Sequence, residues 1–358
     1  MSLRPLLGHL TDDAGGAALV RDGGSAFVSA SLRPYVLAAL ADEDIRRPAL
    51  VVAGDDRQAR DLAGDLRAWL HPRPVRFYPS RGMAYESHLA PPPHLVGLRV
   101  AALDSLVEDP ASAGPREGDA PVVVASAVAL SEKVPDPALR PHSFRLRVGD
   151  LLDLNECMAE LVVAGYERVD QVEDRGQFAA RGGLLDIYPA TEDRAVRVDL
   201  FDIEIESLRC FSTFTQRSLG EAAKVEIAPA AELAAEHREL AELAAIETEL
   251  EDRPDVAELL PLDRFVAFLE LAPDAAVLLA AEEEIEPALA DHWQDVCAAF
   301  HDRDAHHLYI PPEEIRAALD ARAHARLSAL DQGRPLEFRA QAADFAVRSL
   351  REAEPELE

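Results

Sequence analysis

The residues best suited to specific chemistry are arginines set on short, alternating segments. RGQFAARGGLLDIYPA (175–190) carries Arg175 and Arg181, then two consecutive glycines, then an apolar run ending at a proline. YERVD places Arg168 just before this stretch, and AVRVDLF places Arg197 and Asp199 just after it. A guanidinium is planar, permanently charged and offers paired N–H groups, so arginines on a strand face suit bidentate recognition of carboxylates. A single exposed arginine near Asp170, Glu173 or Asp174 is also compatible with a loose internal ion pair of small worth.

Other chemistries lack their residues. A phosphate cradle needs glycines for close backbone approach and a lysine to reach the phosphates. After the first apolar strand the chain reads FVSASLRPYVL, with neither. AGG (14–16) and DGG (22–24) precede that strand and lack the lysine. LLAAEEEIE resembles a strand ending in metal-binding acids, but reads better as an acidic helix start. HDRDAHH (301–307) fits no zinc spacing, and Cys157, Cys210 and Cys297 form no paired motif. No nucleophile elbow or HExxH helix is present. The expectation is a segment without catalysis, metal or cofactor.

The chain has 358 residues, which favours two or three domains, and 48% hydrophobic residues, enough for real cores. Asp and Glu number 66 against 36 Lys and Arg, a net charge of -30. A duplex-binding protein should show a basic footprint, so any DNA contact here would work against the overall field. No secretory leader or membrane-length apolar run is found, so a cytoplasmic location is expected.

Residues 1–142 alternate apolar strands with amphipathic helices: strands at 25–30, 48–54 and 75–79, a fourth at 120–130 that runs into a helix, and helices after the first and second. That pattern predicts a parallel α/β sheet. From 143 the pattern changes to a helix, LLDLNECMAELVVAG. Short strands follow: YERVDQVE, GQFAARGGLLDIYPA, RAVRVDLFD, IESLRCFST and AAKVEIAP. Hairpin spacing predicts antiparallel pairing over 143–229. Val196, Val198 and Leu200 should share one face of their strand, and Arg197 and Asp199 the other. Residues 230–340 read as an acidic helical stretch with Leu233, Leu240, Leu243 and Leu250 at helical spacing, then one more strand and helix. Residues 341–358 read as a truncated helix or linker.

The segment GYERVDQVEDRGQFAARGGLLDIYPATEDRAVRVDLFDIEIESLRCFSTFTQRSLGEAAKVEIAPAAEL resembles the UvrB/Mfd family. It follows that family's order of an RG turn, RG with an apolar run to an aromatic-proline pair, an apolar-R-apolar-acid strand and an EIES hairpin. VRFYPSRGMAYESHLAPPPHLVGLRVAAL and VVVASAVALSEKVPDP are similar to stretches of its coupling-factor branch, in which the nucleotide site of the first domain is lost.

The resemblance implies a degenerate P-loop-like parallel α/β domain without a Walker A loop, 1–142. Into it is inserted a small antiparallel α+β domain, 143–229, that docks on UvrA, and a second UvrB-like part follows at 230–340. It implies an adaptor that recruits excision repair to lesions that stall transcription. RNA polymerase and DNA would be reached only through other parts of a longer, ATP-driven parent. UvrA contacts carry over to Arg168, Arg181, Arg197 and Asp199, with Tyr188 at the aromatic position before the proline. One further family arginine is Ala179 here. The rival readings are a UvrB-type ATP-dependent DNA-binding enzyme and an autoinhibitory module.

Overall fold

The computed structural model describes residues 3–81, 92–106, 119–233, 262–300, 305–330 and 333–340. The first half alternates as its apolar pattern dictates. After helix α1 (Ala14–Asp22) come strand β1 (Gly24–Val28), α2 (Arg33–Asp42), β2 (Ala49–Ala53) and α3 (Asp56–Leu70). Then follow β3 (Val75–Tyr78), α4 (Pro93–Leu106), β4 (Val122–Ser126) and the short α5 (Ala127–Ser131). β2 and β4, ALVVA and VVVAS, are buried along their whole length, as strands covered by helices on both faces must be. Asp55 caps α3 by accepting from the Gln58 N–H at 2.8 Å.

The chain continues through β5 (Val134–Pro135), β6 (Phe144–Arg147) and α6 (Leu154–Val163). Next are β7 (Glu167–Arg168), β8 (Gln177–Arg181), β9 (Leu184–Tyr188), β10 (Ala195–Phe201), β11 (Glu204–Phe211), β12 (Ser218–Ala222) and β13 (Lys224–Ile227). Later come β14 (Phe265–Val266), β15 (Ala276–Leu279), α7 (Glu282–Phe300), α8 (Pro312–Arg322), β16 (Ala323–Ser328) and β17 (Leu336–Phe338).

Among the described residues there are two large sheets. One is a parallel sheet of order β17-β1-β16-β15-β2-β4-β3, so strands from both ends of the chain pair in a single sheet. Its two faces carry separate cores, one around Leu37, Val51 and Leu66, the other around Leu50, Val123 and Phe268. The second sheet, β12-β11-β10-β9-β8-β7, is antiparallel from β8 to β12 and covered on one face by a core of Leu161, Phe178, Ile187, Val198 and Leu208. This is the mixed α/β architecture expected from the sequence. No described helix is long and apolar enough to cross a membrane.

Three local readings change. YERVDQVE forms only the two-residue β7, which runs parallel to β8. Val169 and Val172 are three residues apart, a spacing that cannot keep both on one strand face. They pack instead in a small cluster with Ala179, Ala195 and Phe211. SLGEA forms β12, a strand whose exposed residues carry no apolar alternation. AAKVEIAP supplies β13, which pairs with β6 in a separate two-stranded sheet. The leucine stripe at 240, 243 and 250 and the segment 341–358 lie outside the described residues; Leu233 packs beside Phe265 and Tyr309.

The antiparallel sheet is seated closely on the parallel-sheet part. A Cβ on Gly97 in α4 would stand 2.5 Å from Ala190 Cβ, so only glycine lets these surfaces meet. His94 Nδ1 lies 2.9 Å from the Ala190 carbonyl, and Arg76 grips Glu226 with contacts of 2.8 and 3.0 Å. Gly97→Ala is expected to cost about 1–3 kcal/mol by overpacking this seam. A urea melt checks this: an unchanged midpoint would mean the seam yields.

Candidate docking face

The face of the antiparallel sheet turned away from its core is built by strand alternation. Register places Ala179, Asp186, Arg197, Arg209 and Glu221 in one row across β8 to β12. Arg181, Leu184, Asp199 and Ser207 form the adjacent row. Arg197 and Arg209 stand directly opposite each other, an arrangement that repels unless each is neutralised. Each is. Arg197 Nε and Nη2 donate to the two oxygens of Asp186 at 2.6 and 2.7 Å, and Nη2 also reaches Gln216 Oε1 at 3.2 Å. Arg209 turns the other way and donates through Nε to Asp199 Oδ2 at 2.9 Å, and Ser207 Oγ donates to the same oxygen at 2.6 Å.

The Arg197 guanidinium also lies over the Phe211 ring, 4.7 Å from its centroid. Its fork is therefore aimed by a carboxylate on one side and an aromatic face on the other. The Asp186 hydrogen bond is the chief reason its pKa rises above the ordinary value, with burial pulling the other way. Arg197 Nη1 makes no hydrogen bond within the described residues.

The structure brings four of the five expected contact residues to this face. Arg181 is exposed; among the described residues its one side-chain bond is to the backbone carbonyl of Asp170. Asp199 is half-buried under Arg209. Tyr188 is half-buried against the small outer cluster, not in the main core; its hydroxyl donates to the Asp193 carbonyl at 3.2 Å and Arg175 stacks on its ring. Arg175 itself is spent on the turn, donating to Glu192 O at 2.8 Å and to Asp193 Oδ1 at 2.7 Å. Arg168 stands apart. It pairs in register with Phe178, whose ring lies in the main core, so Arg168 belongs to the opposite side of the edge strand. It is exposed there, with no side-chain ion pair among the described residues. Ala179 is buried beside Val172 and Phe211, and its lack of a charge leaves Asp186 to Arg197 alone.

Sequence reasoning missed Asp186, the residue that orients Arg197. Its signal was present, because strand alternation in LLDIY puts Asp186 on the same face as Tyr188. It also missed a buried ion cluster between the end of the interaction segment and the parallel-sheet part. Arg99 is fully buried and bonds Glu132 at 2.7 Å and Glu232, while Arg81 holds the other oxygen of Glu232. Arg99 also lies over the Tyr78 ring and donates to Pro79 O at 2.7 Å. These residues come from 78 to 232, so no local pattern could have joined them.

Burial alone would raise the Glu232 pKa, but Arg81 and Arg99 outweigh it and hold it down to about 2. A depressed folded-state value stabilises fully above the unfolded value of about 4.3 and is lost as pH falls through the folded one. Burial raises Glu132 instead, the opposite slope. The stability gap between the unmutated chain and Glu232→Gln should therefore narrow from pH ~4.5 to pH ~2. Urea melts across that range test it, and a constant gap would contradict the assignment.

At the carboxyl edge of the parallel sheet, where open α/β sheets usually bind ligands, Asp56 accepts from Ser80 N at 2.9 Å, Ser80 Oγ at 2.6 Å and Ser126 Oγ. β1 runs into a 3-10 turn, Ala30–Leu32, with no glycine. No group of three or more metal-type ligands occurs among the described residues.

Residues 144–233 match the UvrB interaction domain. The chain is 32% identical over 207 residues to the transcription-repair-coupling factor of Bacillus subtilis, covering 58% of this chain and 17% of that protein. It is 38% identical over 193 residues to the factor of Mycobacterium bovis, covering 54% and 15%, and 34% identical over 223 residues to that of Myxococcus xanthus, covering 60% and 18%. The chain thus spans less than a fifth of these relatives' length. The interaction domain accounts for about a quarter of the chain, and the likeness to the coupling factors extends over 54–60% of it. Together these matches support an amino-terminal, UvrB-like module of the transcription-repair-coupling factors.

Proposed function

We propose that this module is an adaptor: its antiparallel sheet docks UvrA and so recruits excision repair to lesions that stall transcription. The observation carrying the reading is the oriented Arg197 fork beside exposed Arg181 on one open sheet face within the UvrB interaction domain. A few aimed arginines meeting carboxylates on a partner give specificity and salt-sensitive association. Docking needs no cofactor of the module's own. The turn after β1 has no glycine to admit phosphates and no lysine to hold them. RNA polymerase and DNA are engaged by parts of the parent beyond this segment.

The test is titration of purified UvrA with the unmutated chain at two salt concentrations, with and without ATP. Saturable binding that weakens with salt and ignores ATP on this chain supports the adaptor. Absence of binding sinks it. Thermal stabilisation of the chain by ATP would revive a nucleotide-binding enzyme.

A further inference from the structure

The docking face has a second, oppositely charged half. Beside the Arg181 row lies a shallow groove of about 520 Å³ between β9 and β12, lined among others by Leu184, Leu200, Asp199, Arg209, Glu206 and Glu221. Among the described residues lining the groove Arg209 is the one cation, and it is already committed to Asp199. The carboxylates of Glu206 and Glu221 make no hydrogen bond or ion pair among the described residues. The groove therefore presents two unmatched carboxylates beside the Leu184 side chain. Its apolar side is open as well: Leu184 is 39% exposed, and Phe201, next along β10 from Leu200, is 76% exposed.

This groove is continuous with the arginine edge, because Arg181 and Leu184 are direct register partners across the β8–β9 hairpin. The geometry points to one occupant: a lysine or arginine side chain of the same partner that meets Arg181. Its methylenes would lie on Leu184, and its charged head would fall between Glu206 and Glu221. The inference rests on the docking reading and adds that recognition is bipolar. The partner gives carboxylates to the arginine edge and a basic side chain to the groove. Two charge patterns of opposite sign, side by side, fix the register of docking and reject partners that match only one of them.

The experiment compares UvrA affinity of the unmutated chain with three variants: Glu206→Gln with Glu221→Gln, Arg181→Ala, and Glu313→Gln with Glu314→Gln. The last makes the same charge change on exposed positions of α8. The groove variant should bind roughly tenfold more weakly while the α8 variant is unchanged. Unaltered or tighter binding by the groove variant, with Arg181→Ala still weakened, overturns the groove and leaves the docking face standing. Equal losses in the groove and α8 variants would reduce the effect to long-range charge and overturn it too. Failure of the unmutated chain to bind UvrA removes the docking reading and the groove with it.

Discussion

The Arg181→Ala, Arg197→Ala double variant should lose UvrA affinity by about 30-fold or more, roughly 2 kcal/mol, while Arg168→Ala stays within about threefold. The resemblance to the family ranks these three arginines alike. The structure separates them. Arg181 and Arg197 share a face in neighbouring rows, and Arg168 sits across the edge strand in register with Phe178. Arg197 should be the more sensitive of the pair. Asp186 and Phe211 hold its fork in place, so little side-chain freedom remains to be lost on binding. Calorimetry or surface-immobilised binding at fixed salt reads the outcome. An Arg168→Ala loss as large as the double variant's would mean that the partner wraps the edge of the sheet, contrary to a one-face contact. Melting curves must accompany the comparison, because removing Arg197 leaves Asp186 without its partner.

Replacing Glu232 with alanine should destabilise the chain by about 3–5 kcal/mol, the cost of leaving buried charge without its counterion. Glu232 is the common partner of Arg81 and Arg99, whose side chains are 5% and 0% exposed. One substitution thus strips a carboxylate from two buried guanidinium groups at once. At roughly 2–4 °C for each kcal/mol, the melting temperature should fall on the order of 10 °C. The damage should be local first. Glu232 lies at the end of the interaction domain, and its arginines lie on the parallel-sheet part, so hydrogen exchange should quicken at the seam. The Ala190 and Ala230 amides, which bond Tyr166 Oη and the Ala164 carbonyl, are the reporters. A surface-like change below about 1 kcal/mol would show that water enters and solvates the cluster.

Much of the architecture follows from local pattern. ALVVA and VVVAS can only be strands buried on both faces, and DDRQARDLAGDLRAWL carries both its cap and its apolar stripe. Alternation in AVRVDLF separates Val196, Val198 and Leu200 from Arg197 and Asp199, and the strand keeps that division. These features depend on the period of side chains along one segment, which the chain itself sets.

Where the sequence was silent, distance along the chain explains it. The short β7 and its direction depend on Val169 and Val172 meeting Ala179 and Phe211, which sit on β8 and β11. β12 exists because β11 offers it hydrogen bonds, since its own residues supply no apolar face. The joining of β15, β16 and β17 to β1 and β2 is a pairing across 227 to 310 residues, as in Ala49 with Ala276 and Ala26 with Leu336. By itself the sequence determined which residues could face a partner: the arginines, the acids between them and the strand faces they occupy. Only the tertiary structure decided which of them do so together. Arg181 and Arg197 become neighbours, Arg209 is consumed by Asp199, and Arg168 is set aside, because cross-strand register rather than sequence spacing fixes what each charge meets.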